Sequence, residues 1–252
     1  WRYHIDWKNS ARVAISEPEG VNQYDKKSIF SPAPWQMSGK GYIFLYPITK
    51  EFVTTQGMVP DFLKGRYTGG FGSMMLVNYA DSNVGPYSEL LFIPGKFDYK
   101  GKKWQTISKI YVSSEVSIVN GRKNWGIPKE RATFEFKRLN EREERIIVTA
   151  GETRILDVVL RSGVIPFPVS TKFLPFHLVQ REKQKEFYTS FSGKGAGRLA
   201  KVNKISVNSD FSPDVSLKKP LTVVHVDPFM LTFPIPRIEK IDVHDSNNRY
   251  HP

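Results

Sequence analysis

The sequence predicts a single, mainly β domain, built as a barrel or a sandwich. From Tyr42 onward, short runs rich in Val, Ile, Phe and Tyr follow one another, punctuated by Gly, Pro or Asn. Helical signals are few, and no shift of composition marks a domain boundary after residue 31. The expected strands are Tyr42–Ile48, Ser88–Ile93, Ile107–Val112, Ala132–Phe136, Ile146–Val148, Leu199–Val207, Leu221–Val226 and Phe229–Ile235. Alternation such as Ala132-Thr133-Phe134-Glu135-Phe136 marks half-buried strands. The best helix is Ser114–Asn124, with a Ser start and Gly126 and Pro128 just past its end. A weaker one over Lys50–Lys64 is broken by Gly57 and Pro60. Residues 1–31 are polar and irregular and read as an N-terminal arm, leaving 32–252 as the domain.

Bulk chemistry narrows the function. With 252 residues the chain can bury one sizeable core. The absence of Cys rules out disulfides, thiolate metal sites and cysteine nucleophiles. It fits a cytoplasmic protein, the compartment favoured here, without requiring one. No apolar run reaches the length of a membrane span. No signal peptide is visible, and an opening Trp1 in place of Met points to residues upstream of this sequence. A net charge of +12 raises nucleic acid or an anionic surface as partners. The positive residues are dispersed, however, and acids interrupt the stretch Arg181, Lys183, Lys185, so neither partner is expected.

Several motifs are weighed and set aside. Gly193-Lys194-Gly195-Ala196-Gly197 resembles a phosphate loop but lacks the Gly-Lys-Ser/Thr entry into a helix, and reads as a flexible hairpin loop. The His residues His4, His177, His225, His244 and His251 form no metal-ligand spacing, so no metal is expected; His225, in an apolar run, reads as a satisfied core residue. No Gly-x-Ser-x-Gly elbow is present. The aromatic and lysine-rich Tyr99–Trp104 reads as a surface hairpin, although such a segment can also stack single-stranded nucleic acid.

Two segments carry chemistry. Gly85-Pro86-Tyr87-Ser88-Glu89 supplies an acid. Gly121-Arg122-Lys123-Asn124-Trp125-Gly126-Ile127-Pro128-Lys129 reads as a helix end, a tight turn and a stiff entry to a strand, with one lysine at the junction. By spacing alone Lys129 reads more readily as a surface lysine after a turn than as a reactive one. With Trp125, Ile127 and Pro128 around it, it could instead be desolvated, which lowers a lysine pKa and frees the amine to attack a carbonyl. The iminium so formed withdraws electrons, and a carboxylate β to the former carbonyl leaves as CO2. Glu89 is placed to shuttle protons.

The lysine segment resembles the acetoacetate decarboxylase signature, Gly-Arg-x-x-(aromatic or small)-(Gly or Ala)-x-Pro-Lys, in which the lysine forms the Schiff base. The glutamate segment is similar to the family's Gly-Pro-Tyr-x-Glu. Lys172-Phe173-Leu174-Pro175 and the stretch Leu221–Glu239 echo the family further, so the resemblance spans residues 32–242. That decarboxylase is itself the standard case of an activated lysine. The resemblance implies an α+β, mostly β fold with a few short helices. In it a single closed β-barrel of the acetoacetate decarboxylase-like type holds an internal cavity and assembles into homo-oligomers. It implies Lys129 and Glu89 as catalytic residues, with Arg122, Tyr87 and Trp125 binding a small keto-acid substrate and no cofactor. Arg122 is favoured for a substrate carboxylate because of its planar, two-pronged donors; Lys40 and Lys123 are the other cations on offer.

The sequence also departs from the family pattern. The second lysine is replaced by Glu130, and Gly-Arg-Glu becomes Gly121-Arg122-Lys123. An expected arginine is missing near Gly39 and Lys40, and an expected acid is missing from Phe71–Leu76, where Gly72 and Ser73 stand. These departures imply a substrate other than acetoacetate. Four classes therefore stay open: a decarboxylase-like Schiff-base lyase, another imine enzyme of aldolase or dehydratase type, an inactive small-molecule-binding relative, and, least favoured, a basic nucleic-acid or surface-binding protein. Because consecutive strand residues diverge, Glu130 is expected to point away from Lys129.

Overall fold

The computed structural model describes residues 30–173 and 175–241. The expected N-terminal arm, His4, His244 and His251 lie wholly or largely outside them. In chain order the strands are β1 (Trp35–Pro47), β2 (Tyr67–Gly69), β3 (Phe71–Asp81), β4 (Tyr87–Ile93), β5 (Lys96–Tyr99), β6 (Lys102–Gln105), β7 (Lys109–Val112) and β8 (Glu130–Arg131). They continue as β9 (Thr133–Arg138), β10 (Glu143–Ala150), β11 (Thr153–Ser170), β12 (Phe176–Glu182), β13 (Lys185–Val207), β14 (Thr222–Phe233) and β15 (Arg237–Lys240). Helix α1 (Lys50–Gln56) is capped by the Thr49 hydroxyl and ends at Gly57. A short 3-10 turn, Asp61–Leu63, follows Pro60. The breaks read at Gly57 and Pro60 are thus real. Helix α2 (Glu115–Trp125) starts where expected, with Ser114 Oγ accepting from the Ser117 amide.

Among the described residues all the strands join one 15-stranded sheet, in the order β2-β5-β6-β12-β13-β14-β1-β3-β4-β7-β8, with β11, β10 and β9 branching from β13 and β15 pairing β13. The expectation of a closed barrel is corrected: the sheet is open. The break lies at buried Ala132. On one side of it β8 pairs β7 in parallel; on the other β9 pairs only β10, so the ladder does not run through.

Two further expectations change. Gly193–Gly197 is not a hairpin loop but the middle of β13, paired with β14 and β11. Glycine is needed there for closeness rather than for flexibility. A Cβ on Gly195 would fall 2.6 Å from the Pro228 carbonyl oxygen, and one on Gly197 would fall 2.4 Å from Val169 Cγ2. The two strands expected over Leu221–Val226 and Phe229–Ile235 are one, β14. Its Asp227-Pro228 step falls where the register slips against both neighbours, at Gly39/Gly41 and at Gly195/Gly197, which spares the ladder a missing donor. Strand β11 escaped notice because Pro166 and Pro168 read against a strand. The Tyr99–Trp104 hairpin is present, with Lys100 and Gly101 both at positive φ in its turn.

The centre of the sheet is buried on both faces, and every residue of β4 is buried. Alternation sends Met74, Leu76, Leu90 and Phe92 into one apolar cluster with Phe44, Tyr111 and Ile146. Met75, Val77, Tyr79, Tyr87 and Leu91 enter a second cluster with Trp35, Trp125 and Phe176. Tyr79, Tyr87 and Glu89 lie on this second face. Away from it, Glu186 on β13 is a buried carboxylate. It accepts hydrogen bonds from Tyr99, from Lys100 at 2.7 Å, from Arg181 at 2.7 Å and from Tyr188 at 2.7 Å. Burial alone would raise its pKa, but these donors outweigh it and pull the carboxyl down to about 2.

A depressed carboxyl pKa stabilises the fold above the usual value of 4.5, and that contribution is lost as pH falls toward about 2. Glu186→Gln should therefore destabilise the protein at neutral pH by about 2 kcal/mol, because the buried Tyr99 and Tyr188 hydroxyls and the partly exposed Lys100 and Arg181 lose a charged acceptor. The gap from wild type should narrow on acidification. Urea unfolding at a series of pH values checks this; a gap that stays constant with pH would contradict it.

Candidate functional site

Helix α2 and the turn after it build the site. Gly126 adopts φ +64, a left-handed conformation that ends the helix at little steric cost. Its amide donates to the Arg122 carbonyl at 2.9 Å, and that of Ile127 donates to the Gly121 carbonyl at 3.3 Å. The chain thus doubles back along α2, and Lys129 comes to lie beside Gly121 and Ser117. A Cβ on Gly121 would sit 2.7 Å from Lys129 Cδ and 2.8 Å from Cε, so the glycine is the groove in which the lysine stem runs. Arg122 holds the same turn from outside, donating from Nη2 to the Lys129 carbonyl at 2.8 Å.

Lys129 is buried, 4% exposed, on the second face of the sheet. Its Nζ donates to Ser117 Oγ at 2.9 Å, to Glu89 Oε2 at 3.1 Å and to Tyr87 OH at 3.4 Å. Glu89 is 5% exposed, and its Oε1 accepts from Tyr79 OH at 3.5 Å. The register puts Tyr79 opposite Tyr87 and Val77 opposite Glu89. The two segments singled out in the sequence therefore converge on one buried ion pair.

The electrostatics correct one expectation. Desolvation was expected to leave Lys129 with a depressed pKa. Burial does pull it down, but Tyr87 and Glu89 together outweigh that, and the ammonium is held above the usual lysine value. Burial pushes the Tyr87 phenol up to about 12, so it is neutral at neutral pH and the Glu89 carboxylate is the counter-charge there. Burial likewise holds Tyr79 protonated.

Arg122 and Trp125 are placed differently from the substrate-binding expectation. Arg122 is exposed, with its guanidinium on the Lys129 backbone rather than on Glu89. Trp125 is a core side chain: its Nε1 donates to the Pro234 carbonyl at 2.7 Å, and its ring meets Trp35 and Phe233 edge-on. Lys40 pairs with Glu144 at 3.4 Å and lines a separate polar cleft. Glu130 points outward, as expected, and accepts from Lys109 at 2.7 Å. Strand alternation does not reach back to Lys129, because the lysine precedes β8 in the turn; Arg131 and Thr133 are exposed where Lys129 is buried. Ser117 and Tyr79 were missed. Ser117, in the first turn of α2, comes beside Lys129 only after the chain reverses at Gly126, and nothing in the local sequence sets it apart. His225 is half satisfied: Nδ1 lies 2.8 Å from Ser162 Oγ and the ring stacks on Tyr42, but Nε2 is buried without a partner. Among the described residues no group of three or more His, Asp or Glu side chains is placed to hold a metal ion, and no helix is long and apolar enough to cross a membrane.

A raised lysine pKa favours the folded state below the usual value of 10.5 and loses that contribution as pH rises through the raised one. Glu89→Gln removes the counter-charge and leaves burial dominant, so Lys129 should then titrate below the usual value. NMR titration of the Lys129 side chain in both proteins checks the sign. A variant titrating at or above wild type would show that Glu89 is not what holds the proton.

Comparison with known proteins bears on the family and the fold. A family profile described as acetoacetate decarboxylase matches residues 21–173. The fold is similar to acetoacetate decarboxylase from Legionella pneumophila, with a TM-score of 0.66 and 15% identity over 90% of this chain and 92% of that one. It is also similar to the enduracididine biosynthesis enzyme MppR, solved with the condensation product of pyruvate and imidazole 4-carboxaldehyde, with a TM-score of 0.57 and 14% identity over 92% and 98% of the two chains. An acetoacetate decarboxylase-like enzyme from Sphingomonas wittichii gives a TM-score of 0.59 at 12% identity, over 85% and 96%. No curated sequence matches the chain. The profile covers more than half of the sequence, and the chain belongs to the acetoacetate decarboxylase family.

Proposed function

We propose that this protein is a Schiff-base-forming lyase, decarboxylase-like, acting on a small keto acid through Lys129. One observation carries the reading: a buried amine whose only charged neighbour within hydrogen-bonding reach, among the described residues, is a buried carboxylate 3.1 Å away. Attack requires the free amine, so the Lys129 proton first passes to Glu89. The Nζ lone pair adds to the substrate carbonyl, and the resulting carbinolamine takes a proton and loses water to give the iminium. The bond to the β-carboxylate then breaks, CO2 departs, and the electron pair moves into the iminium to form an enamine. Protonation of the enamine carbon, with Glu89 as the nearest acid, and addition of water release the ketone and return the amine. Tyr87 and Ser117 hold Nζ in place through these steps.

A second reading has its own support. The arginine and the second acid of the familiar decarboxylase are absent, and MppR, of similar fold, was solved with a condensation product of pyruvate. Aldol chemistry would pass through an iminium of the same kind: Glu89 would take a proton from the α-carbon in place of CO2 loss, the enamine would attack an aldehyde, and loss of water from the adduct would complete a condensation. An inactive binding relative is the remaining alternative. Assembly into a homo-oligomer is also part of the proposal; exposed apolar side chains such as Val164 and Ile165 on β11 and Met230 on β14 support it.

Borohydride reduction with a panel of α- and β-keto acids, followed by mass mapping, tests the lysine. Wild type should be labelled at Lys129, with a yield that rises with pH because the amine must lose a tightly held proton. Lys129→Ala should abolish the label, and Glu130→Lys should leave it intact. No label on Lys129 across the pH range would make the binding relative the better reading.

Gly121→Ala separates position from chemistry. The new methyl displaces the flexible lysine stem rather than backbone, so the fold should persist while Nζ shifts from Glu89 and Ser117. Misplacement on the order of 1 Å costs about 100-fold in rate. Trapping rates with unchanged circular dichroism would measure this, and a rate equal to wild type would show that the groove is not needed.

A further inference from the structure

The face that carries Glu89 also carries an apolar pocket, partly open to solvent at Lys194 and Met230. On β3, Met75, Val77 and Tyr79 point to the same side as Tyr87, Glu89 and Leu91 of β4, because alternate residues share a face. In register these form a row: Tyr79 with Tyr87, Val77 with Glu89, Met75 with Leu91. One end of the row meets Lys129. The β3 side of the row, with Leu91, lines a pocket of about 120 Å³ that Ile43, Phe176 and Phe229 complete. Apart from Tyr42, Tyr79, Thr171 and the exposed Lys194, its lining is apolar side chains and glycine. Tyr79 joins the two parts: its ring lines the cavity and its hydroxyl lies 3.5 Å from Glu89 Oε1.

Apolar cavities of roughly 150 Å³ stay dry and take up benzene. This one is slightly smaller. A methyl group, all that acetoacetate could offer, would leave most of it empty, whereas a branched alkyl group or a single ring would fill it. The stretch Phe71–Leu76, where the family resemblance leads one to expect a second acid, instead contributes Met75 to this wall. We propose that the carbonyl compound engaged by Lys129 carries an apolar substituent of branched-alkyl to single-ring size, seated between Met75, Val77, Tyr79 and Leu91. The inference rests on the Schiff-base reading and adds the substrate class to it.

The test uses the full chain and β-keto acids that share one head group: acetoacetate, 5-methyl-3-oxohexanoate and 4-phenyl-3-oxobutanoate. Trapping on Lys129 and, where turnover occurs, kcat/KM are measured for each. The branched or benzyl substrate should exceed acetoacetate by at least about tenfold, the order expected of an apolar pocket. Leu91→Phe and Val77→Phe should each fill the cavity and bring the ratio to one or below, with folding checked by thermal melting. If neither variant folds, the wild-type ratio alone decides. Trapping without preference, or a preference that survives both fillings, overturns the inference and leaves the lysine chemistry standing. No trapping of any member overturns the Schiff-base reading itself.

Discussion

A lysine and a glutamate are both taken out of water on one face of this sheet, and the surrounding structure is arranged to make that tolerable. Burying two charges costs several kcal/mol per ion, and their mutual attraction offsets this only if the remaining donors and acceptors are also met. Here they are: Ser117 and Tyr87 take the other Lys129 protons, and Tyr79 serves the second Glu89 oxygen. Each partner comes from a different element, α2, β3 or β4, so the pair exists only when helix, turn and sheet are all in place. Pairing also sets the chemistry. Glu89 does not merely sit near the amine; with Tyr87 it holds the Lys129 pKa above the usual lysine value.

The same requirement explains the glycines of the signature. Lys129 can reach Glu89 only by running along α2, and a side chain at residue 121 would occupy its path. The helix can end and reverse within a few residues only because Gly126 takes a left-handed conformation, and that position is also tight, with Phe187 packed against it. Arg122 then fastens the reversed segment from the solvent side through the Lys129 carbonyl. The arginine expected at a substrate carboxylate donates here to the backbone of Lys129.

Burial of β3 and β4 on both faces gives the site its second character. Even-numbered residues fill one cluster and odd-numbered residues the other, so Glu89 stands in an otherwise apolar row. No strand partner supplies a further charge there, and the adjoining space is dry in its chemistry. Cations that a keto-acid carboxylate could use lie elsewhere: Lys40 is committed to Glu144 and Arg122 to the turn.

Local pattern determined much of this in advance. Punctuated β runs, the Ser114 cap, the Gly126 stop and the order of the two motif segments are short-range properties, governed by backbone sterics and capping, and they read directly from neighbouring residues. The outward turn of Glu130 followed from the same local geometry. Three things were settled only by tertiary structure. Whether Lys129 is depressed or raised depends on which charges meet it, and Glu89 arrives from a distant strand. Whether Gly193–Gly197 bends or extends depends on β14 and β11 pressing on it. Whether the sheet closes depends on how the chain passes Ala132, from pairing with β7 on one side to pairing with β10 on the other. In the first two cases the deciding partner is brought by long-range pairing, which no window of sequence contains.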